Sequence, residues 1–424
     1  MAPDSVPAEV ATKLKRVIEL VPRPDRSRAG VDLDTDVPTV VLYASQFPLQ
    51  HGCLGVYRTL GRAGVPVYAV VAERRSPVAR SRYVTGKILW KPHRGDTNAD
   101  LIERLIDLGR TLRRRSLIVC IADEMALLVA SHRTDLEDYF ILPAVAPELP
   151  VMLSDKKGLS ELGRRHGVAA PRQLLADSMA ELEAVLDEMP VPVVVKTTAL
   201  RGQVRNVDSA TVVGSRDELL DRARGWQEPF SILLQECIPD DVAEDWFTHG
   251  YCDTTGTARV VFTGRKVRCW PVRGGSTAAA YGATNPELAG LASRFCAAVG
   301  YRGAFDIDWR LDRRDGSYNL LDFNPRVGAQ FRLFENDAGI DVVRAMHLDL
   351  SGRPIPSGKQ IEGERFIVEP WNAASLVANP HQPWPGGVGR PRATWWANDD
   401  PAPVVATGIR QVGLSMLERL PGRR

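Results

Sequence analysis

Residues 39–45, TVVLYAS, are an apolar, β-branched run, and the segments after it leave little freedom in architecture. HGCLGVYRTLGRAG (51–64) reads as a glycine-bearing turn leading into a helix, and VPVYAVVA (65–72) is a second apolar run. Strand, helix, strand with both strands apolar throughout is a βαβ unit. Its strands are parallel, and the crossover must lie over a sheet face, so such sheets are covered on both sides. LIERLIDLGRTLR (101–113) continues as a helix and LIVCIAD (117–123) as a further strand, ending at Asp123 and Glu124. Residues 38–150 are therefore expected to form a parallel α/β domain. Glycines 52, 55 and 61 do not spell GxGxxG, so they read as turn formers and not as a dinucleotide fingerprint. The run Arg113, Arg114 and Arg115 reads as a solvated helix end.

At 424 residues the chain exceeds a single simple core and fits two or three domains. A net charge of +2, from 54 basic and 52 acidic residues, gives no global attraction to nucleic acid or to an anionic membrane. Six cysteines, at 53, 120, 237, 252, 269 and 296, show no CxxC spacing and read as free thiols of a reducing, cytoplasmic compartment. No apolar run approaches the roughly 18 residues of a membrane span, and the N-terminus lacks a signal-peptide pattern. Residues 1–37, with a short helical pattern at Val10, Leu14, Val17 and Ile18, read as an N-terminal extension.

A second region, 151–350, opens with VMLSDKKGLSELGRRHGVAAPRQ. Ser154 or Asp155 can cap its helix and Gly167 can end it. Lys156 and Lys157 fall in the first turn, where a cation opposes the helix dipole unless an anion lies nearby. After the helix SMAELEAVLDEM, the run PVPVVVK places Lys196 at the end of a buried strand, ahead of a loop with Thr197, Thr198, Arg201 and Gly202. Such a lysine needs a counter-charge, and either a phosphate or a neighbouring carboxylate would serve. The strand SILLQECI precedes antiparallel segments WFTHGYCD and TARVVFTGRKVRCWPV, and residues 272–285 read as a loop. Lys266 and Arg268 alternate along one strand, so a common face is expected. Residues 286–299 read as a helix. Residues 351–424 turn rich in proline and tryptophan and read as an irregular appendage, with Trp371, Trp384, Trp395 and Trp396 packed on the body.

Between these lies VGYRGAFDIDWRLDRRDGSYNLLDFNPRVGAQFRLF (299–334). Two alternating strands around an Asp315-Gly316 turn would set Asp308 beside Asp322 and Asn324, with Arg326 next to them. Carboxylate and amide oxygens beside a guanidinium suit Mg²⁺ bridged to nucleotide phosphates. An exposed acidic hairpin is the plain alternative.

Taken together, and in order, these segments resemble the ATP-grasp superfamily, in particular its carboxylate-amine ligases, over roughly residues 40–350. The resemblance implies an α/β protein: an ATP-grasp fold of two α+β lobes around a nucleotide cleft, preceded by a Rossmann-like parallel domain. The small lobe would span about 151–235 and the metal-binding lobe about 236–350. It further implies that Lys156 and Lys196 touch ATP phosphates and that Glu236, with the backbone of Cys237 and Ile238, meets the adenine. Asp245, with Glu244 as substitute, would hold the ribose. Asp308, Asp322 and Asn324 would bind two Mg²⁺, with Mn²⁺ as the alternative ion, and Arg326 would neutralise the transferred phosphoryl group. Lys266, Arg268, Arg273 and Arg332 are candidates for gripping a carboxylate or stabilising an acylphosphate. Asp306 is expected behind the ligands or against substrate. Two departures are plain: the carboxylate before xNxR is Asp322 where glutamate is usual, and the loop after Lys196 lacks a glycine run.

The implied activity is ATP-dependent joining of a small-molecule carboxylate to an amine, an amino acid or a peptide, through an acylphosphate, with ADP and phosphate released. A phosphotransferase without an amine step and a non-catalytic nucleotide-binding module are the rivals. Neither a nucleic acid nor a membrane partner is expected, and the sequence leaves a homodimer open.

Overall fold

The structure is a computed structural model that describes residues 30–43, 50–73, 75–90, 97–189, 191–197, 211–227, 229–272, 275–379, 387 and 389–408. The helical pattern at Val10–Ile18, the loop residues Thr198, Arg201 and Gly202, and Arg273 and Trp384 lie outside the described residues.

The first sheet is parallel, with strand order β3-β2-β1-β4-β5. Its strands are β1 (Thr39–Leu42), β2 (Val67–Val71), β3 (Gly86–Leu89), β4 (Ser116–Cys120) and β5 (Phe140–Ile141). Every β1 residue is buried because each face carries helices. Val41 packs with α1 (His51–Gly61), while Val40 and Leu42 pack with Leu101, Ile102 and Leu105 of α2 (Asn98–Leu112). After β4 the chain enters α3 (Asp123–Ser131), so Asp123 stands at the carboxyl end of a central parallel strand.

Two short helices, α4 (Glu148–Ser154) and α5 (Lys156–Arg165), lead into an antiparallel sheet of order β6-β9-β7-β8. It comprises β6 (Gln173–Ala176), β7 (Val193–Thr197), β8 (Thr211–Val213) and β9 (Ile232–Glu236). Helices α6 (Met179–Glu188) and α7 (Arg216–Ala223) cover one face, and Leu182, Val193, Val195, Leu219, Ile232 and Leu234 form a core of its own. Helix α5 does not join that core. Leu159 and Leu162 pack with Trp309, Leu320 and Phe323 of the third sheet.

That third sheet has the order β14-β13-β10-β11-β12-β15-β16 among the described residues. Its strands are β10 (Ala243–Cys252), β11 (Ala258–Trp270), β12 (Ser276–Gly282), β13 (Gly303–Asp312), β14 (Ser317–Asn324), β15 (Arg365–Ile367) and β16 (Arg392–Ala393). Helix α8 (Pro286–Ala298) covers one face; α9 (Val342–Leu350) and α10 (Glu369–Ala378) follow the hairpin. Residues of β10 and β11, including Phe247, Tyr251 and Phe262, share one core with α1 and α9. The third sheet and the first domain are thus packed as one body.

Two expectations are corrected. Residues 276–282 form an interior strand and not a loop; the alanines at 278–280 have weak strand preference, but β11 on one side and β15 on the other pair with them. The segment after 351 is no appendage. It supplies the last two strands of the sheet, and Trp395 is 1% exposed. Arg58 of α1, fully buried, fixes this segment: its Nε donates to Asp400 Oδ2 at 3.0 Å, Nη1 to the Thr394 carbonyl at 3.1 Å and Nη2 to the Trp395 carbonyl at 2.8 Å. Glu369 accepts from the backbone N–H groups of Thr394, Trp395 and Trp396. Trp371 is partly buried against the same core, whereas Trp396 is exposed. The six cysteines are free thiols. No helix among the described residues is long and apolar enough to cross a membrane.

Candidate active site

The hairpin β13–β14 turns at Arg313–Gly316, where Gly316 takes φ +78°, a left-handed conformation that a Cβ would strain. Its register sets Asp306 opposite Asn324 and Asp308 opposite Asp322. Directly opposed residues share a face, so three carboxylates and a carboxamide lie together. A β-bulge at Leu321 follows immediately, between the Asp308–Asp322 and Trp309–Leu320 pairs. Bulges re-aim side chains, and here one adjoins the acidic pair.

Cations reach this pair from several elements. Asp155 caps α5 by accepting from the Gly158 N–H at 2.8 Å, which places Lys156 at the first helical position. The Lys156 ammonium donates to Asp322 Oδ1, so the anion that a first-turn lysine requires is the hairpin carboxylate. Burial opposes ionisation of Asp322, but Lys156, Lys196 and Arg326 outweigh it and hold the carboxyl below its ordinary range. From β11, Lys266 Nζ lies 2.8 Å from Asp308 Oδ2. Burial nonetheless raises the Asp308 carboxyl, helped by Asp306 and Asp322 and opposed by Lys266.

Lys196, on β7 of the small sheet, donates to Gln235 Oε1 at 2.8 Å; among the described residues no carboxylate is within ion-pair distance of it. Burial, then the neighbouring Lys156, lowers its pKa from 10.5 to about 8. Of its two sequence readings, a directly paired carboxylate is therefore lacking among the described residues, although Asp322 and Asp308 act on Lys196 at longer range. Gln235 was not singled out from the sequence, although a polar residue inside the apolar run ILLQE is the signal that marks it.

β9 passes into β10 through residues 237–242. Glu236 is exposed, and its carboxylate faces the Arg172 N–H at 3.4 Å. The Ile238 carbonyl accepts two bonds from Arg310, at 3.0 and 2.7 Å, so its N–H is the edge it could offer a ligand. Arg310 also donates to Asp240 at 2.7 Å and to Asp245 at 2.6 Å, tying this connection to β10. It alternates with Asp306 and Asp308 on β13, a pattern present in the sequence but not read there.

Glu244 cannot substitute for Asp245. Strand alternation turns it to the other face, where Trp246 Nε1 donates to it at 3.2 Å and Arg265 lies 3.3 Å away. Arg268 is likewise corrected. Bulges on either side of it break the alternation with Lys266, and its Nη1 donates to Asn372 of α10 at 3.2 Å. Arg332, buried at 7% exposure, donates to the Thr394 carbonyl at 3.1 Å and joins α1 to the C-terminal segment.

Arg326 joins the first domain to the hairpin. Its Nη1 donates to Asp306 Oδ2 at 2.9 Å and its Nε lies 3.1 Å from Asp123 Oδ1. Burial raises the Asp123 carboxyl, and Asp322, Glu124 and Asp306 add to this against the pull of Arg326. Behind Asp306, the fully buried His249 sets Nε2 3.2 Å from Asp306 Oδ1. Gly328 makes room for both: a Cβ there would lie 2.0 Å from His249 Cε1 and 2.8 Å from Asp306 Cγ.

The donor set fits a divalent cation. Asp308, Asp322 and Asn324 offer hard oxygen atoms, and Mg²⁺ is usually held by one or two carboxylates completed by phosphates and water. Among the described residues no three His, Cys, Asp or Glu side chains are grouped so as to hold a metal ion by themselves. Ammonium groups from β7, α5 and β11 around two carboxylates could also receive a polyanion, exchanging lysine–carboxylate pairs for lysine–phosphate and metal–carboxylate pairs.

No family model matches the chain. A D-aspartate ligase of Enterococcus faecium (strain Aus0004) is 22% identical over 291 residues, covering 65% of this chain and 68% of that one. Among solved structures, the ADP complex of N5-carboxyaminoimidazole ribonucleotide synthetase superposes with a TM-score of 0.61 at 12% identity, covering 91% of this chain and 98% of that one. An L-amino acid ligase from Bacillus licheniformis superposes with a TM-score of 0.56 at 14% identity, covering 78% and 76%. A parallel domain, a small antiparallel lobe and a large sheet with an edge hairpin therefore have a common precedent in these structures: the chain has the ATP-grasp fold.

Proposed function

We propose that the chain is an ATP-dependent carboxylate–amine ligase. The carrying observation is the convergence of Lys156, Lys196 and Lys266, from three separate elements, on the directly opposed Asp308 and Asp322. The E. faecium relative, named for joining an amino acid by ligation, supports the ligase class.

In this reading ATP lies between the small sheet and the third sheet. Lys156 and Lys196 hold its phosphates, the backbone at Cys237 and Ile238 meets the adenine, and Asp245 accepts from the ribose. Mg²⁺ bound by Asp308, Asp322 and Asn324 would screen the phosphate charge and orient the terminal phosphoryl group. A substrate carboxylate oxygen attacks that phosphorus and ADP leaves; the amine nitrogen then attacks the acyl carbon and phosphate leaves. Positioning and charge neutralisation carry most of such chemistry, so no protein nucleophile is needed. Arg326, fixed by Asp306, faces the phosphoryl oxygens, and Lys266 steadies the acylphosphate.

The test is incubation with ATP, Mg²⁺ and pooled carboxylates, with and without amines, following ADP, phosphate and products by mass spectrometry. A condensed product with stoichiometric ADP and phosphate is expected. A stable phosphorylated product with no amine requirement would instead make the chain a phosphotransferase.

A further inference from the structure

A cavity of about 70 Å³ lies beneath α3, between the first domain and the third sheet. Its wall is apolar: Cys120, Ala126 and Val129 from the first domain, Leu142 from the connection, and Val327 and Met346 from the large lobe. Polar groups around it are turned to the backbone. Arg133 donates to the Pro143 carbonyl at 2.6 Å, Arg302 to the Ala144 carbonyl at 2.9 Å, and the Tyr301 hydroxyl to the Ala304 carbonyl at 2.7 Å. The exception is Arg326, which lines this cavity and belongs to the candidate active site. Asp123 stands one turn before Ala126 on α3, hence on the same helix side, 3.1 Å from Arg326 Nε.

We propose that this cavity is the side-chain subsite for an apolar α-amino acid, whose ammonium group is held by Asp123 and whose carboxylate is held by Arg326. The proposal rests on the ligase reading and names one of its substrates. A guanidinium and a carboxylate side by side at the end of an apolar cavity complement a zwitterion carrying an apolar group. Asp123 Oδ1 and Arg326 Nε stand 3.1 Å apart, buried and without a hydrogen bond, while Arg326 is paired through Nη1 with Asp306, so a ligand with only one charge would leave one of these two atoms without a partner. A polar side chain entering the cavity would lose water without gaining hydrogen bonds. The placement is also physically apt. In open parallel sheets, ligands bind outside the carboxyl ends of strands where the winding reverses, and β1 and β4 are that point in this sheet.

The test is calorimetric titration of the full chain, with and without MgADP, using leucine of either hand, aspartate, 4-methylpentanoate and isoamylamine. Leucine should bind at least about tenfold more tightly than aspartate or either single-charge analogue. Asp123→Asn should bring leucine and 4-methylpentanoate to equal affinity, which a merely structural aspartate would not do. Ala126→Leu, with folding checked by its melting temperature, should fill the cavity and weaken leucine by about tenfold or more while sparing glycine. Aspartate binding as tightly as leucine, or leucine indifferent to both substitutions, overturns the subsite. Loss of MgADP binding with leucine binding intact would instead overturn the nucleotide reading, so the two failures are distinguishable.

Discussion

Lys196→Met should make the nucleotide-free protein more stable while weakening ATP binding. The lysine's pKa stands at about 8 instead of 10.5, and at about 1.4 kcal/mol per decade its burial as a cation costs about 3 kcal/mol at neutral pH. Methionine has similar length and removes that cost. It also leaves Gln235 Oε1 without its 2.8 Å donor, a loss of about 1–2 kcal/mol, so a net gain of about 1–2 kcal/mol is expected. The sign with pH is fixed. The folded chain binds this proton less tightly than the unfolded chain, so below about pH 8 both states are charged and the penalty is complete. It is relieved as pH rises from about 8 towards 10.5. Chemical denaturation of both proteins should therefore show a gap in favour of the variant at pH 7 that narrows towards pH 10. ATP binding should run the other way: the triphosphate needs the charged lysine, so wild-type affinity should fall about twofold at pH 8 and about tenfold at pH 9, with a flatter profile in the variant. A variant that is less stable at pH 7 and binds ATP unchanged would refute the argument and make Lys196 a structural residue.

Asp322→Asn should abolish turnover, measured as ADP release, with little change in melting temperature, since the side chain is only partly buried, at 34% exposure, and Lys156 keeps access to solvent. Asp245→Asn should raise the KM for ATP several-fold, whereas Glu244→Gln, on the opposite face, should leave it unchanged in the same assay. Asp400→Ala should destabilise the protein by about 3–5 kcal/mol in denaturant titration, because it leaves the fully buried Arg58 without its carboxylate.

Much of the site was legible because its defining contacts are local. A DG turn between two alternating runs fixes the hairpin and brings its two acidic ends together, although the turn's register alone would set Asp308 opposite Leu321, and the Leu321 bulge is what brings Asp322 opposite it. The parallel domain was legible for a similar reason, since buried runs separated by helical stretches admit few topologies. What escaped depends on distant partners. Arg268 lost its alternation with Lys266 to two bulges, which strand periodicity cannot foresee. β15 and β16 span three and two residues, too short to carry a period; β15 is a strand only because β12 is there to pair with, and β16 only because β15 is. The parity that separates Asp245 from Glu244 is set by which face of β10 meets the cleft, a tertiary fact.

The Arg58 contact bears on how the protein is made. Arg58 belongs to the parallel domain, but its carboxylate lies 342 residues later in the chain. At bacterial or eukaryotic elongation speeds that interval is roughly 17–70 s. Throughout it, the Arg58 guanidinium is without Asp400 and the Thr394 and Trp395 carbonyls. Chaperone dependence during synthesis, relieved by Arg58→Met, is the expected signature in a translation-coupled folding assay.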